Sequence, residues 1–167
     1  VAAISRFEKD ASGAPKPHSE LLFLTPQPGR WATKTIEDPT APVFHKAMLY
    51  APPGAPPGLL TLGGSAPHGS AALKLWRKAA GGALVPETVW EVNFGGAFSR
   101  MRDAEVADLD GDGRLEIAVA THDQGVVAVV KPQPQGGFAV SELMLAATPG
   151  SPRAPRIAAK LASCADH

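Results

Sequence analysis

A strand-like hydrophobic alternation begins at Ala2, returns at Leu59 and returns again at Glu116, a spacing of 57 residues each time. This repeat constrains the fold more than any other feature. The three runs are Ala2–Ser5, Leu59–Leu62 and Glu116–Val119. Each is followed by a turn and a second apolar run: Leu21–Leu24, Ala72–Trp76 and Val126–Val130. Each second run leads through a Pro/Gly-rich turn into a more polar one: Trp31–Ile36, Val89–Val92 and Phe138–Leu143. A further run precedes the second and third units, at Phe44–Tyr50 and Asp103–Ala107. Alternation with period two and turn residues between the runs predict strands, and a fixed long period predicts a repeat architecture. The expected organisation is all-β: three strands, then four, then four.

Composition agrees. Gly and Pro number 17 each, about twice the usual share for Pro, which favours short strands and many turns. The one helix candidate, 154–165, starts near Pro152 and Pro155 and has no clear apolar face. Lys+Arg and Asp+Glu are balanced at 16 each, with no basic stripe or polybasic patch. That argues against nucleic acid and against an anionic membrane surface. No apolar run approaches the roughly 18 residues that would insert in a membrane. A single cysteine, Cys164, excludes an internal disulfide framework. The first residues lack a basic region followed by an apolar stretch, so a signal peptide is expected to have been removed or to lie elsewhere in a longer chain.

Residues 108–116 read Asp-Leu-Asp-Gly-Asp-Gly-Arg-Leu-Glu. Asp108, Asp110 and Asp112 stand at alternate positions, and Glu116 follows. Four acids this close repel one another unless a cation lies among them. Gly111 and Gly113 let the backbone curl so that the short Asp side chains converge. Hard oxygen ligands in a flexible loop suit Ca²⁺ better than zinc or copper. An EF-hand needs a glutamate at loop position 12; counted from Asp108 that position is Val119, so this loop is of another kind.

A calcium loop between two strands, with its final carboxylate at position nine, resembles the FG-GAP or VCBS repeat. The residues that carry the likeness are VADLDGDGRLEIAVA, within the third unit. That family forms blades of calcium-binding β-propellers, including the head of integrin α-subunits. The resemblance implies a partial β-propeller of four-stranded antiparallel blades, about two and three-quarter blades in all. It divides the chain into 1–43 (a partial blade), 44–98 (a blade without a calcium loop), 99–147 (a blade with one) and 148–167 (a disordered tail). Propellers usually close with about four to eight blades, so the remaining blades are expected in a parent protein.

The resemblance also implies the ligand roles. Asp108, Asp110, Asp112 and Glu116 donate side-chain oxygens. Arg114 donates its backbone carbonyl and points its side chain to solvent, and water completes the shell. Asp103 and Glu105 lie on the inner strand as channel or rim residues, with Asp103 an alternative partner of the ligands. The second unit has Tyr50-Ala-Pro-Pro-Gly-Ala-Pro-Pro-Gly at the matching place, which offers no carboxylate, so one calcium site is expected.

Three histidines fall at comparable places: His45 at the start of an inner strand, His68 and His122 after second strands. With Asp123, and with Arg102 and Asp103 nearby, they either line a ligand or metal pocket at one channel mouth or are turn residues. Trp31, Trp76 and Trp90 either stack on sugars or pack between blades. The function expected is an extracellular, secreted or periplasmic binding module for a protein or glycan ligand, with Ca²⁺ structural and no catalytic residues. The alternative is part of a propeller enzyme, a sugar lyase or dehydratase, using the histidine site.

Overall fold

The computed structural model describes residues 1–9, 11–13, 15–38, 40–122 and 124–144. The expected tail at 148–167, the helix candidate at 154–165, Cys164 and Asp123 lie outside the described residues. The chain is all-β, with no helix among the described residues. A three-stranded sheet has the order β1 (Ala2–Lys9), β2 (Pro15–Gln27), β3 (Arg30–Asp38). A four-stranded sheet follows: β4 (Val43–Tyr50), β5 (Gly58–Gly64), β6 (Ala71–Lys78), β7 (Leu84–Val92). A second four-stranded sheet has β8 (Met101–Ala107), β9 (Glu116–Thr121), β10 (Val126–Pro132), β11 (Phe138–Met144). All three are antiparallel meanders in which sequence neighbours pair.

Several strands run past their apolar signal. β7 starts at Leu84 although alternation marks only Val89–Val92. Its first residues are mostly exposed, so burial selects no apolar pattern there, while the backbone still pairs with β6. The same holds for β3, whose exposed face includes Trp31 at 63%.

The middle sheet carries apolar groups on both faces. Leu60 pairs with Leu75 and Leu62 with Leu73, and these four pack with Met101, Ile117, Val119 and Val130 of the third sheet. Each buried leucine contributes about 2 kcal/mol by leaving water. One residue out of phase, Leu59 pairs with Trp76 on the opposite face, where both pack against Leu21 of the first sheet. β5 is therefore buried at every position, which explains its continuous apolar run. At Gly58 a Cβ would lie 2.7 Å from the Trp76 carbonyl oxygen and 2.8 Å from Leu75 Cδ1, so only glycine fits this crossing.

The same face buries an ion pair. Lys74 Nζ donates to Asp38 Oδ1 at 2.9 Å and Oδ2 at 2.7 Å, with side chains 9% and 2% exposed. Thr40 adds its backbone N–H and hydroxyl to Asp38. Trp76 donates its indole N–H to Thr61 at 2.9 Å. Of the three tryptophans, Trp76 lies buried between sheets, Trp90 meets Phe94 edge-on, and Trp31 is exposed. Trp76 and Trp90 thus pack into the cores shared between sheets, while Trp31 lies exposed on β3.

Candidate functional site

β8 and β9 form a hairpin whose connection is the acid loop: Ala107 pairs with Glu116 at its base. Gly111 and Gly113 have φ of 76° and 81°, the left-handed conformation the tight curl requires. Asp108 accepts from the backbone N–H of Gly111 at 2.8 Å and of Gly113 at 2.9 Å. Asp110 accepts from the Asp112 N–H, and Asp112 from the Arg114 N–H. These local bonds turn the carboxylates inward.

One carboxylate oxygen each of Asp108, Asp110 and Glu116 lie within 4.8 Å of one another. Ca–O distances of 2.3–2.6 Å span roughly 5 Å across a shell, so the spacing suits such an ion. Glu116 is 1% exposed. Its Oε2 accepts from the Leu109 N–H at 2.8 Å, while Oε1 is buried without a hydrogen-bond partner. A buried carboxylate oxygen without a hydrogen bond is costly, and a hard cation would satisfy it. The donor set is all oxygen. On these observations the residues fit a calcium-type ion.

Asp112 differs from the other three acids. It is bound by Arg114, whose Nε and Nη2 donate to its Oδ2 at 3.0 and 2.5 Å, so the Arg114 side chain is folded onto the loop and does not extend into solvent as expected. Arg114 first and Lys131 second hold the Asp112 carboxyl well below the usual carboxylate range. Lys131 comes from β10, beyond sequence neighbourhood of the loop. Its Nζ contacts Asp110 and Asp112, with 2.7 Å to the latter, and stands 3.8 Å from Glu116 Oε1. Hydrogen bonds to Asp110 and then Asp112 raise the Lys131 pKa. The motif offers no signal for this lysine, because strand pairing alone brings it to the acids.

Tyr50 is the other residue that sequence reasoning left out. It ends β4 of the neighbouring sheet, is buried, and donates its hydroxyl to the Leu115 carbonyl at 3.0 Å. Asp103 and Glu105 sit apart from the acid loop. Both pair with Lys46 Nζ, at 2.8 and 2.6 Å, tying β8 to β4. The Lys46 hydrogen bond lowers the Asp103 pKa.

The histidines do not form one group. His45 and His122 line a common cavity at the other end of the β8–β9 hairpin. His68 does not line it. Its φ is +58°, its N–H donates to the Ala97 carbonyl, and its Nδ1 meets the Gly96 carbonyl at 3.1 Å. His68 thus braces the 94–99 loop as a turn residue.

No family model, curated protein or solved structure matches this chain.

Proposed function

We propose that the chain is a segment of an FG-GAP/VCBS-like β-propeller that binds one Ca²⁺ in the 108–116 loop and serves as an extracellular binding or interaction module for a protein or glycan. The observation that carries this reading is the convergence of Asp108, Asp110 and Glu116, with a buried Glu116 oxygen that has no hydrogen-bond partner and only the Lys131 ammonium 3.8 Å away. Asp112 and the Arg114 carbonyl would complete the protein's share of the shell once Arg114 and Lys131 swing away. Bound there, Ca²⁺ would neutralise the carboxylates and stiffen the β8–β9 hairpin. Binding only to the folded chain stabilises it by mass action. Extracellular modules hold calcium with dissociation constants of about 10⁻⁴–10⁻³ M, which favours a site filled outside cells.

Inter-sheet contacts support the blade reading. β8 packs on β4, β5 and β6, and β4 packs on β1 and β2. First strands of successive sheets thus lie against the preceding sheet, as radial stacking of blades requires. Three blades are fewer than propellers close with, so the reading expects further blades to complete a ring.

Calorimetric titration of Ca²⁺ into chelator-treated protein, with melting curves before and after, tests the reading. The expected result is one ion per chain, a higher melting temperature, and loss of both in the Asp110→Ala/Asp112→Ala double variant. Unchanged affinity in that variant would sink it.

A second reading, a sugar lyase or dehydratase, draws support from the cavity that brings His45 and His122 together. It expects His45→Ala and His122→Ala to abolish turnover while fold and calcium binding persist.

A further inference from the structure

β4 and β8 begin, and β5 and β9 end, at the side of the molecule away from the acid loop. A cavity of about 390 Å³ opens between the two four-stranded sheets there. His45, Arg100, Arg102 and His122 line it, and among its described lining residues none carries a carboxylate. Much of the remaining wall is apolar, including Val43 and Phe98.

Two β-bulges build this wall. In β4, Phe44 pairs with Gly63 and Lys46 with Leu62, leaving His45 as the extra residue. In β8, Met101 pairs with Thr121 and Asp103 with Ala120, leaving Arg102 as the extra residue. His45 and Arg102 are 57 residues apart, equivalent positions of successive repeat units, and they are bonded to each other. A bulge turns one side chain out of the strand's alternation, and such re-aiming is common beside ligand sites. Arg100 is held with its guanidinium 4.5 Å from the Phe98 ring centroid.

The hydrogen bonding fixes which nitrogen of His45 is free to bind. Arg102 Nη1 lies 3.0 Å from His45 Nδ1. A guanidinium only donates, so Nδ1 accepts and the proton sits on Nε2. Burial, then the positive charges of Arg102, Arg100 and His122, hold the imidazole below its ordinary pKa, consistent with that neutral form. Nε2 is buried and has no hydrogen-bond partner. It lies 3.2 Å from the position a Cβ on Gly64 would take, so the glycine leaves it room.

A neutral ring with a buried unpaired N–H, beside two guanidinium groups, is matched by an acceptor that carries negative charge. Arginine suits planar oxyanions because its N–H groups meet two oxygens at once. A bare inorganic ion would leave most of the cavity and its apolar wall uncovered, whereas cavities of this size hold small organic ligands. We propose that this cavity binds a small organic carboxylate with a compact apolar body, its head held by Arg100, Arg102 and the Nε2–H of His45. The inference is independent of the metal loop and holds whether the ligand is turned over or only retained.

Calorimetric titration of the 167-residue chain with benzoate, its neutral isostere benzamide, and inorganic phosphate tests it. Benzoate is expected to fill one site per chain, about tenfold or more tighter than either other probe. Arg100→Gln and Arg102→Gln, checked for native circular dichroism, should each weaken benzoate about tenfold. Arg77→Gln, on β6 away from the cavity, should leave binding unchanged. Imidazole ¹⁵N spectra should show benzoate shifting His45 Nε2, which reads the site without any substitution. Equal binding of benzoate and benzamide, no binding at about 10 mM, or unaltered binding in both arginine variants would overturn the proposal; the 10 mM ceiling is far weaker than typical specific ligands. Phosphate binding more tightly than benzoate would overturn the carboxylate assignment.

Discussion

Tyr50 donates its phenolic hydroxyl to the carbonyl of Leu115 at 3.0 Å, so the last residue of β4 in one sheet pins the acid loop of the next. The ring is buried and tilted against Phe138, 6.3 Å between centroids. Burial first and the nearby Glu116 charge second push the Tyr50 hydroxyl up to about 12. Loop position and sheet packing are thereby coupled through one hydrogen bond.

This coupling has a pH signature. The folded pKa lies above the unfolded value of about 10. The contribution to stability is therefore complete below about pH 10 and is lost as pH rises through about 12. Tyr50 is the only tyrosine of the chain, so the change in near-ultraviolet absorbance on phenol ionisation reads it alone, the three tryptophans giving a constant background. The native protein should half-titrate near pH 12, and the chain in denaturant near pH 10. Tyr50→Phe should cost about 1 kcal/mol at neutral pH, the net worth of one hydrogen bond. A native phenol that titrates at the ordinary value would contradict the buried, bonded hydroxyl.

Lys131 stands among the acids that a cation would need. Its ammonium meets Asp110 and Asp112 and approaches Glu116. Lys131→Met should raise Ca²⁺ affinity roughly three- to tenfold, since the lysine's exposed ion pairs no longer have to be displaced. The same variant should melt earlier in chelator, where the acids lose their counter-charge. Calorimetry and melting in parallel separate the two effects; weaker calcium binding in Lys131→Met would show that the lysine orients the loop and does not compete with the ion.

The Lys74–Asp38 pair is a buried electrostatic link between the first two sheets. Removing one member strands the other charge in a site that is nearly closed to water. Lys74→Ala should cost about 3–5 kcal/mol in urea unfolding. Lys74→Met with Asp38→Asn should recover more than half of that, because the uncompensated charge is gone. If Lys74→Ala costs under about 1 kcal/mol, water reaches the pair and screens it.

Much of the fold was legible because the period-two pattern reports burial of one strand face. Each expected run lies within an observed strand, from Ala2–Ser5 in β1 to Phe138–Leu143 in β11. The pattern fell short where burial was absent, at the exposed start of β7. The acid motif was equally plain, since alternating Asp with Gly is a local arrangement. His68 and Trp31 were less readable, because spacing alone does not say whether a side chain meets a partner sheet or a turn.

What the sequence determined by itself were the local features: strands, turns, and the curled loop with its inward carboxylates. Each depends on residues a few positions apart. Only the tertiary structure decided which distant groups meet. Lys131 reached Asp110 and Asp112 through strand pairing, Tyr50 reached Leu115 through sheet packing, and the bulges at His45 and Arg102 met across two sheets. The physical reason is that a bulge or a cross-sheet contact is selected by the sum of packing on both sides, which no single stretch of the chain encodes.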